Sequence, residues 1–157
     1  YFMDTLYTNF YNNLVKLTRN KDLYKFLDKE DIFSDRLTFL LLHFAFFLKI
    51  YKKSEKKPIL QNIFDSFFKQ LELNIREIGY GDQTVNKKMK EYINFFYSIL
   101  DKLDTWDSIN INKRNNFLSE ILNTSKKLSY LVDYFDEYRV NLINNSLTSY
   151  LKGVDKR

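Results

Sequence analysis

The chain of 157 residues contains no cysteine, one proline, three glycines and one histidine. Without cysteine it can form neither a disulfide bond nor a zinc site built on thiolates, and a single His43 provides no histidine cluster for a metal. Turns between strands depend on glycine and proline, so the scarcity of both beside many long side chains favours helices throughout. The sequence therefore predicts an all-α protein without a disulfide bond and without a metal site built on thiolates or a histidine cluster.

The sequence also lacks a stretch that is long and apolar enough to cross a membrane. Its most apolar segment, residues 37–50, is shorter than the roughly 20 residues that a transmembrane helix needs, and it contains His43 and Lys49. We expect this segment to lie in a central apolar helix near residues 35–52, and any membrane contact to be peripheral. The sequence begins with Tyr1 instead of methionine, which leaves open whether a segment precedes it.

Elsewhere, apolar residues recur every three or four positions, which predicts amphipathic helices. At this length we expect one domain over residues 1–157, a bundle of about six or seven helices. The predicted helices cover residues 4–18, 21–27, about 34–52, 59–78, and 82 or 84 to about 103, with two more in the C-terminal part that are separated near residues 123–129.

Particular residues mark the expected helix ends. Pro58 suits a first helical turn, which has no partner for the N–H group that proline lacks. Gly79 and Gly153 suit the left-handed position that follows a helix. Residues 104–112 are polar, contain Trp106 and are predicted to be a connection. The expected side-chain caps are Ser34 or Asp35 for the central helix and Asp82 or Thr84 for the helix after Gly79.

No pattern in the sequence is typical of catalysis. There is no Ser–His–Asp arrangement at a recognisable spacing, no carboxylate pair suited to acid–base chemistry and no phosphate-binding loop. Gly79 and Gly81 form a Gly-x-Gly after a helix, whereas dinucleotide-binding loops follow a strand. His43 is expected to be a hydrogen-bonded core residue, with a catalytic role as the alternative. We predict that the protein acts by binding and is not an enzyme.

Two charged segments are candidate binding sites. The first, called the lysine segment, holds five lysines relieved only by Glu55, in a chain of net charge +5. It is either a solvated helix end or a contact site for anionic lipid, ribosomal RNA or an acidic protein. Aromatic residues lie at core spacing instead of between these lysines, which argues against a nucleic-acid-binding module. The lysines are Lys49, Lys52, Lys53, Lys56 and Lys57.

The second candidate spans residues 74–82, between two predicted helices. Helix ends explain its glycines and its aspartate in part. The helix dipole favours Arg76 near a carboxyl end but disfavours Glu77, so we expect Glu77 to have a partner among Arg76, Lys87 and Lys88. A purely structural role and a partner-binding role both remain open for this segment.

Several segments carry, in order, residues typical of one protein family. The most specific is residues 75–82, which read Ile-Arg-Glu-Ile-Gly-Tyr-Gly-Asp and are followed closely by Val-Asn-Lys-Lys at 85–88. Together they resemble the ubiquinol–cytochrome c chaperone family, whose bacterial members occur in alphaproteobacteria. The chain departs from the family at Ser98 and Ile99, where Gly-Arg is usual. The other resembling segments are residues 11–24, 35–43, 64–68 and 96–97.

The resemblance implies a chaperone that binds newly made cytochrome b and assists assembly of the ubiquinol–cytochrome c reductase complex, without catalysis or a cofactor. It implies a soluble or peripheral protein at the cytoplasmic face of a bacterial inner membrane, or at the matrix side if the host is eukaryotic. Mitochondrial members also meet the ribosome. The alternative is a basic ribosome- or RNA-binding helical module without client chaperone activity; DNA is not an expected partner.

The predicted sites follow from these interpretations. The lysine segment is the candidate for contact with an anionic surface. Arg36, His43 and Tyr97 are assigned structural roles. The candidate partner-binding residues are Arg76, Glu77, Gly79, Tyr80, Gly81, Asp82, Lys87 and Lys88.

Overall fold

The computed structural model describes residues 2–25, 27 and 33–153, and within these ranges the chain forms seven α-helices, two 3₁₀ helices and no strand. The fold is therefore an all-α single helical domain, as predicted. The short 3₁₀ helices are Lys21–Tyr24, after α1, and Trp106–Ser108, after α4. The α-helices are α1 (Phe2–Leu17), α2 (Phe33–Tyr51), α3 (Lys57–Glu77), α4 (Asp82–Leu103), α5 (Ile111–Ile121), α6 (Ser129–Asn144) and α7 (Leu147–Leu151).

Helix α2 lies at the centre of the bundle, in contact with α1, α4 and α6. Its apolar residues occupy all sides of the helix, so it can bury them only when other helices surround it. The ring of Phe44 stacks on Phe67 of α3 at 3.9 Å and on Phe96 of α4 at 5.3 Å, between ring centroids. Phe46 stacks on Phe135 of α6 at 5.1 Å. The predicted central apolar helix is thus confirmed.

The ends of α3 agree with the sequence, whereas the predicted caps do not. Pro58 lies in the first turn of α3, and Gly79 follows the helix with φ +107°. Residues 34–35 lie inside α2, because that helix already begins at Phe33. The cap of α4 is Gly81, and no side chain caps this helix. The predicted capping by Asp82 or Thr84 is therefore wrong.

As far as residue 153, where the described residues end, the C-terminal part contains three helices where two were predicted. The predicted break is present, and Asn123 takes a left-handed conformation there, with φ 52°. The third helix is α7, which begins because the Ser146 hydroxyl accepts a hydrogen bond from the Ser149 N–H group at 3.1 Å. Gly153 follows α7 with φ +78°, as predicted.

Two connections are more ordered than the sequence suggested. The segment 104–112 contains a 3₁₀ helix, and its Trp106 is fully buried. The helix predicted at 21–27 is a 3₁₀ helix, Lys21–Tyr24, capped by the Asn20 side chain. Residue 26 lies outside the described residues. None of the helices in the described ranges combines the length and the hydrophobicity that crossing a bilayer requires.

Candidate functional site

The turn between α3 and α4, residues 78–81, is held closed by Arg76. Its guanidinium group donates a hydrogen bond to the Asp82 carboxylate and lies 4.0 Å from the Glu72 carboxylate. Asp82 is the first residue of α4, one position after the N-cap, and its carboxylate pairs with Arg76. The Gly79 N–H group donates to the Arg76 carbonyl at 2.9 Å, which closes the end of α3. We call this turn, together with the predicted partner-binding residues, the loop site.

A second contact in the loop site joins Tyr80 to α4. The ammonium nitrogen of Lys88 lies 4.9 Å from the centroid of the Tyr80 ring, which is a cation–π geometry. Glu77 and Lys87 are exposed, and neither forms an ion pair with another described residue. The expectation that Glu77 pairs with Arg76, Lys87 or Lys88 is therefore wrong, because Arg76 is taken by Asp82 and Glu72.

Exposed apolar side chains surround these charges. Ile78 is 56% exposed, Leu73 44% and Tyr80 43%. Single exposed apolar residues are common, but Ile78 and Tyr80 both belong to this short turn, and Leu73 precedes the end of α3 by about one turn. The loop site therefore offers apolar anchors beside two unpaired charges of opposite sign, Glu77 and Lys87. Such a surface suits binding to a protein segment that is itself both apolar and polar.

The lysine segment lies at the opposite end of α3. Since α3 has 21 residues and a helix rises 1.5 Å per residue, the two candidate sites are about 30 Å apart. Lys49 is mostly buried and pairs with Asp107 at 3.3 Å, so it is not available to a partner. The four exposed lysines, which form no ion pair with other described residues, are Lys52, Lys53, Lys56 and Lys57.

Asp107 joins the lysine segment to α6. Its carboxylate lies 2.9 Å from the Nε atom of Arg139, in addition to its contact with Lys49. Partial burial acts to raise the pKa of Asp107, but the charges of Lys49, Arg139 and Lys53 outweigh it and hold this pKa below its usual value. Asp107 is therefore ionised and fixes the end of α2 to α6.

His43 is completely buried in α2 and fully hydrogen-bonded. Its Nδ1 atom lies 2.6 Å from the Phe39 carbonyl oxygen, and its Nε2 atom lies 2.6 Å from the Tyr134 hydroxyl oxygen. A carbonyl can only accept, so Nδ1 carries the proton and Nε2 accepts from Tyr134. Burial lowers the pKa of His43 to about 4, so the imidazole is neutral.

The other two residues given structural roles lie at the surface. Arg36 is exposed near the start of α2. Tyr97 is about half exposed, and its ring stacks on that of Phe64 at 5.9 Å. Tyr97 therefore covers one side of the α3–α4 contact without entering the core.

Sequence reasoning missed a polar cluster around Trp106. The Trp106 indole N–H group donates to the Asp136 carboxylate at 3.1 Å. Arg114 lies over the Trp106 ring at 5.0 Å, donates to its carbonyl oxygen at 2.9 Å and pairs with Asp136 at 3.2 Å. The only available signal was a lone tryptophan in a polar segment, which is the pattern of a buried ring with one polar partner.

The described residues contain no group of three histidine, aspartate or glutamate side chains placed to hold a metal ion. A surface depression of about 510 Å³ is lined by Asn115, Ser119 and Lys127, and a shallower one of about 280 Å³ by Lys102, Phe117 and Glu120, with other residues. Both lie near α5 and include no residue of the loop site or the lysine segment.

The fold and the candidate site thus define an all-α protein with an exposed, charged loop between two long helices. A model of the ubiquinol-cytochrome C chaperone family matches residues 27–154, a range that contains both candidate sites. The chain belongs to this family, as the resemblance predicted. The match does not include the resembling segment 11–24. A search among curated proteins and a search among solved structures each give no significant match.

Proposed function

We propose that this protein is an assembly chaperone of the ubiquinol–cytochrome c reductase complex that binds newly made cytochrome b through its loop site. The observation that carries the proposal is the family match over residues 27–154, which includes the whole of this site. The loop presents exposed apolar side chains next to Glu77 and Lys87, on a turn that Arg76 holds closed. The protein binds its client without catalysis and without a cofactor of its own.

We further propose that the exposed lysines place the protein peripherally on an anionic membrane. The setting is the cytoplasmic face of a bacterial inner membrane or, in a eukaryote, the matrix side. Each lysine near an anionic bilayer contributes on the order of 1 kcal/mol of attraction, so Lys52, Lys53, Lys56 and Lys57 together supply a reversible contact. The separation of about 30 Å along α3 leaves the loop site free for the client while these lysines are in contact.

The test of client binding is recovery of the tagged protein from its own membranes, with the bound proteins identified by mass spectrometry. Cytochrome b is expected without the mature complex. Charge reversal of both Arg76 and Lys87 to glutamate should abolish this recovery, whereas Lys113→Glu, at an exposed lysine of α5, should leave it unchanged. A doubly reversed protein that still folds by circular dichroism and still recovers cytochrome b would contradict the assignment of the loop site.

The alternative function is ribosome or RNA binding through the lysine segment, which its four exposed lysines favour. Phosphate contacts lose affinity steeply with salt, by a slope of about 0.9 log unit per neutralised phosphate on duplex DNA, whereas an apolar grip on a client depends much less on salt. Recovery of ribosomes alone, lost at moderate salt and lost in variants of Lys52 and Lys53, would support this alternative and contradict the client proposal.

A further inference from the structure

Helix α6 carries an exposed stripe in which acidic residues precede apolar ones. Asp133 and Glu137 lie one turn apart on its surface, followed by Val140 and Ile143, which are 47% and 54% exposed. Residues spaced three and four apart share one side of a helix, so these four form a continuous face. Neither carboxylate forms an ion pair with another described residue, in contrast to Asp136, which pairs with Arg114.

Basic residues lie at the end of α2, beside the apolar end of this face. The Tyr51 hydroxyl lies 2.9 Å from the Leu142 carbonyl oxygen and 3.0 Å from that of Asn145, which fixes the end of α2 beside the end of α6. Lys52 and Lys53 follow Tyr51 at once and are exposed. The charge of Lys53 also acts on Asp107, which pairs with Arg139 of α6. Together with these lysines, the exposed residues therefore run acidic, apolar, basic along the direction of α6.

We infer that this face, called the α6 face, is the contact between two copies of the chain, paired antiparallel about a two-fold axis. In such a pairing the same patch meets itself. The acidic end of one α6 face then lies against the basic end of the other, and Val140 and Ile143 of both copies meet at the centre. The inference does not depend on client binding, because it uses no residue of the loop site, but it shares Lys52 and Lys53 with the proposed membrane contact; sedimentation of the purified chain without membranes tests the dimer separately.

The charges explain why a second copy is the occupant. The carboxylates of Asp133 and Glu137 and the ammonium groups of Lys52 and Lys53 have no ion-pair partner among the described residues of their own copy. The two ends of one face complement each other only when the partner runs in the opposite direction. A parallel pairing would place like charges together, which disfavours it.

The size of the apolar centre sets the expected strength. Stable interfaces bury about 1,200–2,000 Å² in total, and two half-exposed side chains per copy account for a small part of that area. The dimer is therefore expected to be weak, and to weaken further as salt screens the charged ends.

The first test is sedimentation equilibrium of the purified chain over a wide range of concentration at low salt. A monomer–dimer equilibrium is expected. Ile143→Asp should raise the dissociation constant by about tenfold or more, because it places a charge at the centre of the contact. The matched control is Ile111→Asp, since Ile111 is 52% exposed on α5, away from the α6 face. This control should dimerise like the unmodified chain.

A charge exchange tests the pairing direction. Reversal of both acids (Asp133→Lys with Glu137→Lys) should weaken the dimer, and so should reversal of both bases (Lys52→Glu with Lys53→Glu). The protein that carries all four changes should regain the original dissociation constant, because each end again meets its complement. A monomer at every concentration, equal effects of Ile143→Asp and Ile111→Asp, or no recovery in the fourfold variant would each overturn the proposal.

Discussion

His43 is the one histidine of the chain, and its environment disfavours protonation of both ring nitrogens. Nδ1 donates to the Phe39 carbonyl, and Nε2 must accept from the Tyr134 hydroxyl. The rings of Phe135 and Tyr138 lie 5.2 Å and 4.9 Å away, so little water can stabilise an imidazolium ion. Protonation in the folded state is therefore opposed both by burial and by loss of an acceptor.

This site predicts a loss of stability in mild acid. The unfolded chain binds a proton at His43 below the ordinary pKa of 6.5, whereas the folded protein does so only near 4. Between these values the unfolded state holds more protons, so the free energy of unfolding falls as the pH falls from 6.5 to 4, by about 3 kcal/mol for this group. Urea unfolding at a series of pH values measures the effect.

The control is His43→Gln, whose amide can donate and accept but cannot titrate. Its free energy of unfolding should be lower than that of the unmodified chain at pH 7, and the difference between the two proteins should shrink toward pH 4. A constant difference across this range would contradict the predicted titration.

For His43, the sequence could predict burial and one of the two hydrogen-bond partners. A histidine in the middle of a helix that is apolar on all sides must be buried, and a buried imidazole needs hydrogen bonds. The acceptor Phe39 is one turn away and could be named in advance. The donor Tyr134 is separated from His43 by 91 positions, and Asp136 is 30 positions from Trp106. Only the packing of α6 against α2 and the 3₁₀ helix brings these pairs together.

At the scale of elements, the α3–α4 turn places two glycines under different demands. Gly79 has φ +107°, and a Cβ atom there would meet nothing within 4 Å, so its conformation alone requires glycine. Gly81 has φ −72° and occupies the N-cap of α4, where any residue fits and no side chain now caps the helix. Replacement of the glycine should therefore lower the free energy of unfolding at position 79 and can raise it at position 81.

Gly79→Ala should lower the free energy of unfolding by about 1 kcal/mol, because a left-handed conformation is unfavourable for a residue with a Cβ atom. Gly81→Ser should raise it by roughly a few tenths of a kcal/mol, because the hydroxyl can accept from a free N–H group of the first turn, and glycine is itself a tolerated N-cap. Urea unfolding of both variants measures these changes. An equal decrease in the free energy of unfolding for both variants would contradict this account of the turn.

The helices that the sequence predicted well are those long enough to show a period. Helices α3 and α4 have 21 and 22 residues and clear apolar stripes, and Pro58 and Gly79 punctuate the first of them. Helix α7 has five residues, too few to repeat any pattern, so it was missed. The cap of α4 was mispredicted because the capping preference considers only neighbouring residues. In the structure α4 begins after Gly81, and the Asp82 carboxylate accepts from Arg76.

At the scale of the whole molecule, α7 closes the chain onto its own beginning. The ring of Tyr150 lies 6.1 Å from Phe10 of α1 and 5.7 Å from Phe47 of α2, between centroids. Its hydroxyl is hydrogen-bonded to that of Tyr138 on α6. One side chain from the last helix therefore joins three others, so the C-terminal helix is part of the core.

Tyr150→Ala should destabilise the protein by about 2–4 kcal/mol, because it leaves a cavity among these rings. Tyr150→Phe keeps the ring and removes only the hydroxyl contact, so it should cost about 1 kcal/mol. Chemical unfolding of the two variants separates packing from hydrogen bonding. Equal losses would show that the hydroxyl pair, not the ring, carries the contribution of α7.

The two candidate sites differ in how much the sequence could establish. The residues predicted for the loop site are close together in sequence, so they could be proposed as one site, whereas their internal pairing and the exposure of Leu73 and Ile78 required the structure. The lysine segment was also continuous, but its relation to α6 was not visible. Lys49 proved to be held by Asp107, which is 58 positions away, and this contact removes it from the exposed set.

Trp106 gives the protein a built-in optical probe, since it is the only tryptophan in the chain. Its side chain is buried in contact with Phe46, Asp136 and Arg114. The charge of Lys53 acts on the next residue, Asp107. Helix α4, with 22 residues, separates it from the turn at Gly79 by about 30 Å. Its fluorescence should therefore change when a ligand binds the lysine segment and stay constant when a ligand binds the loop site. Fluorescence of the unlabelled protein can thus distinguish binding at these two sites.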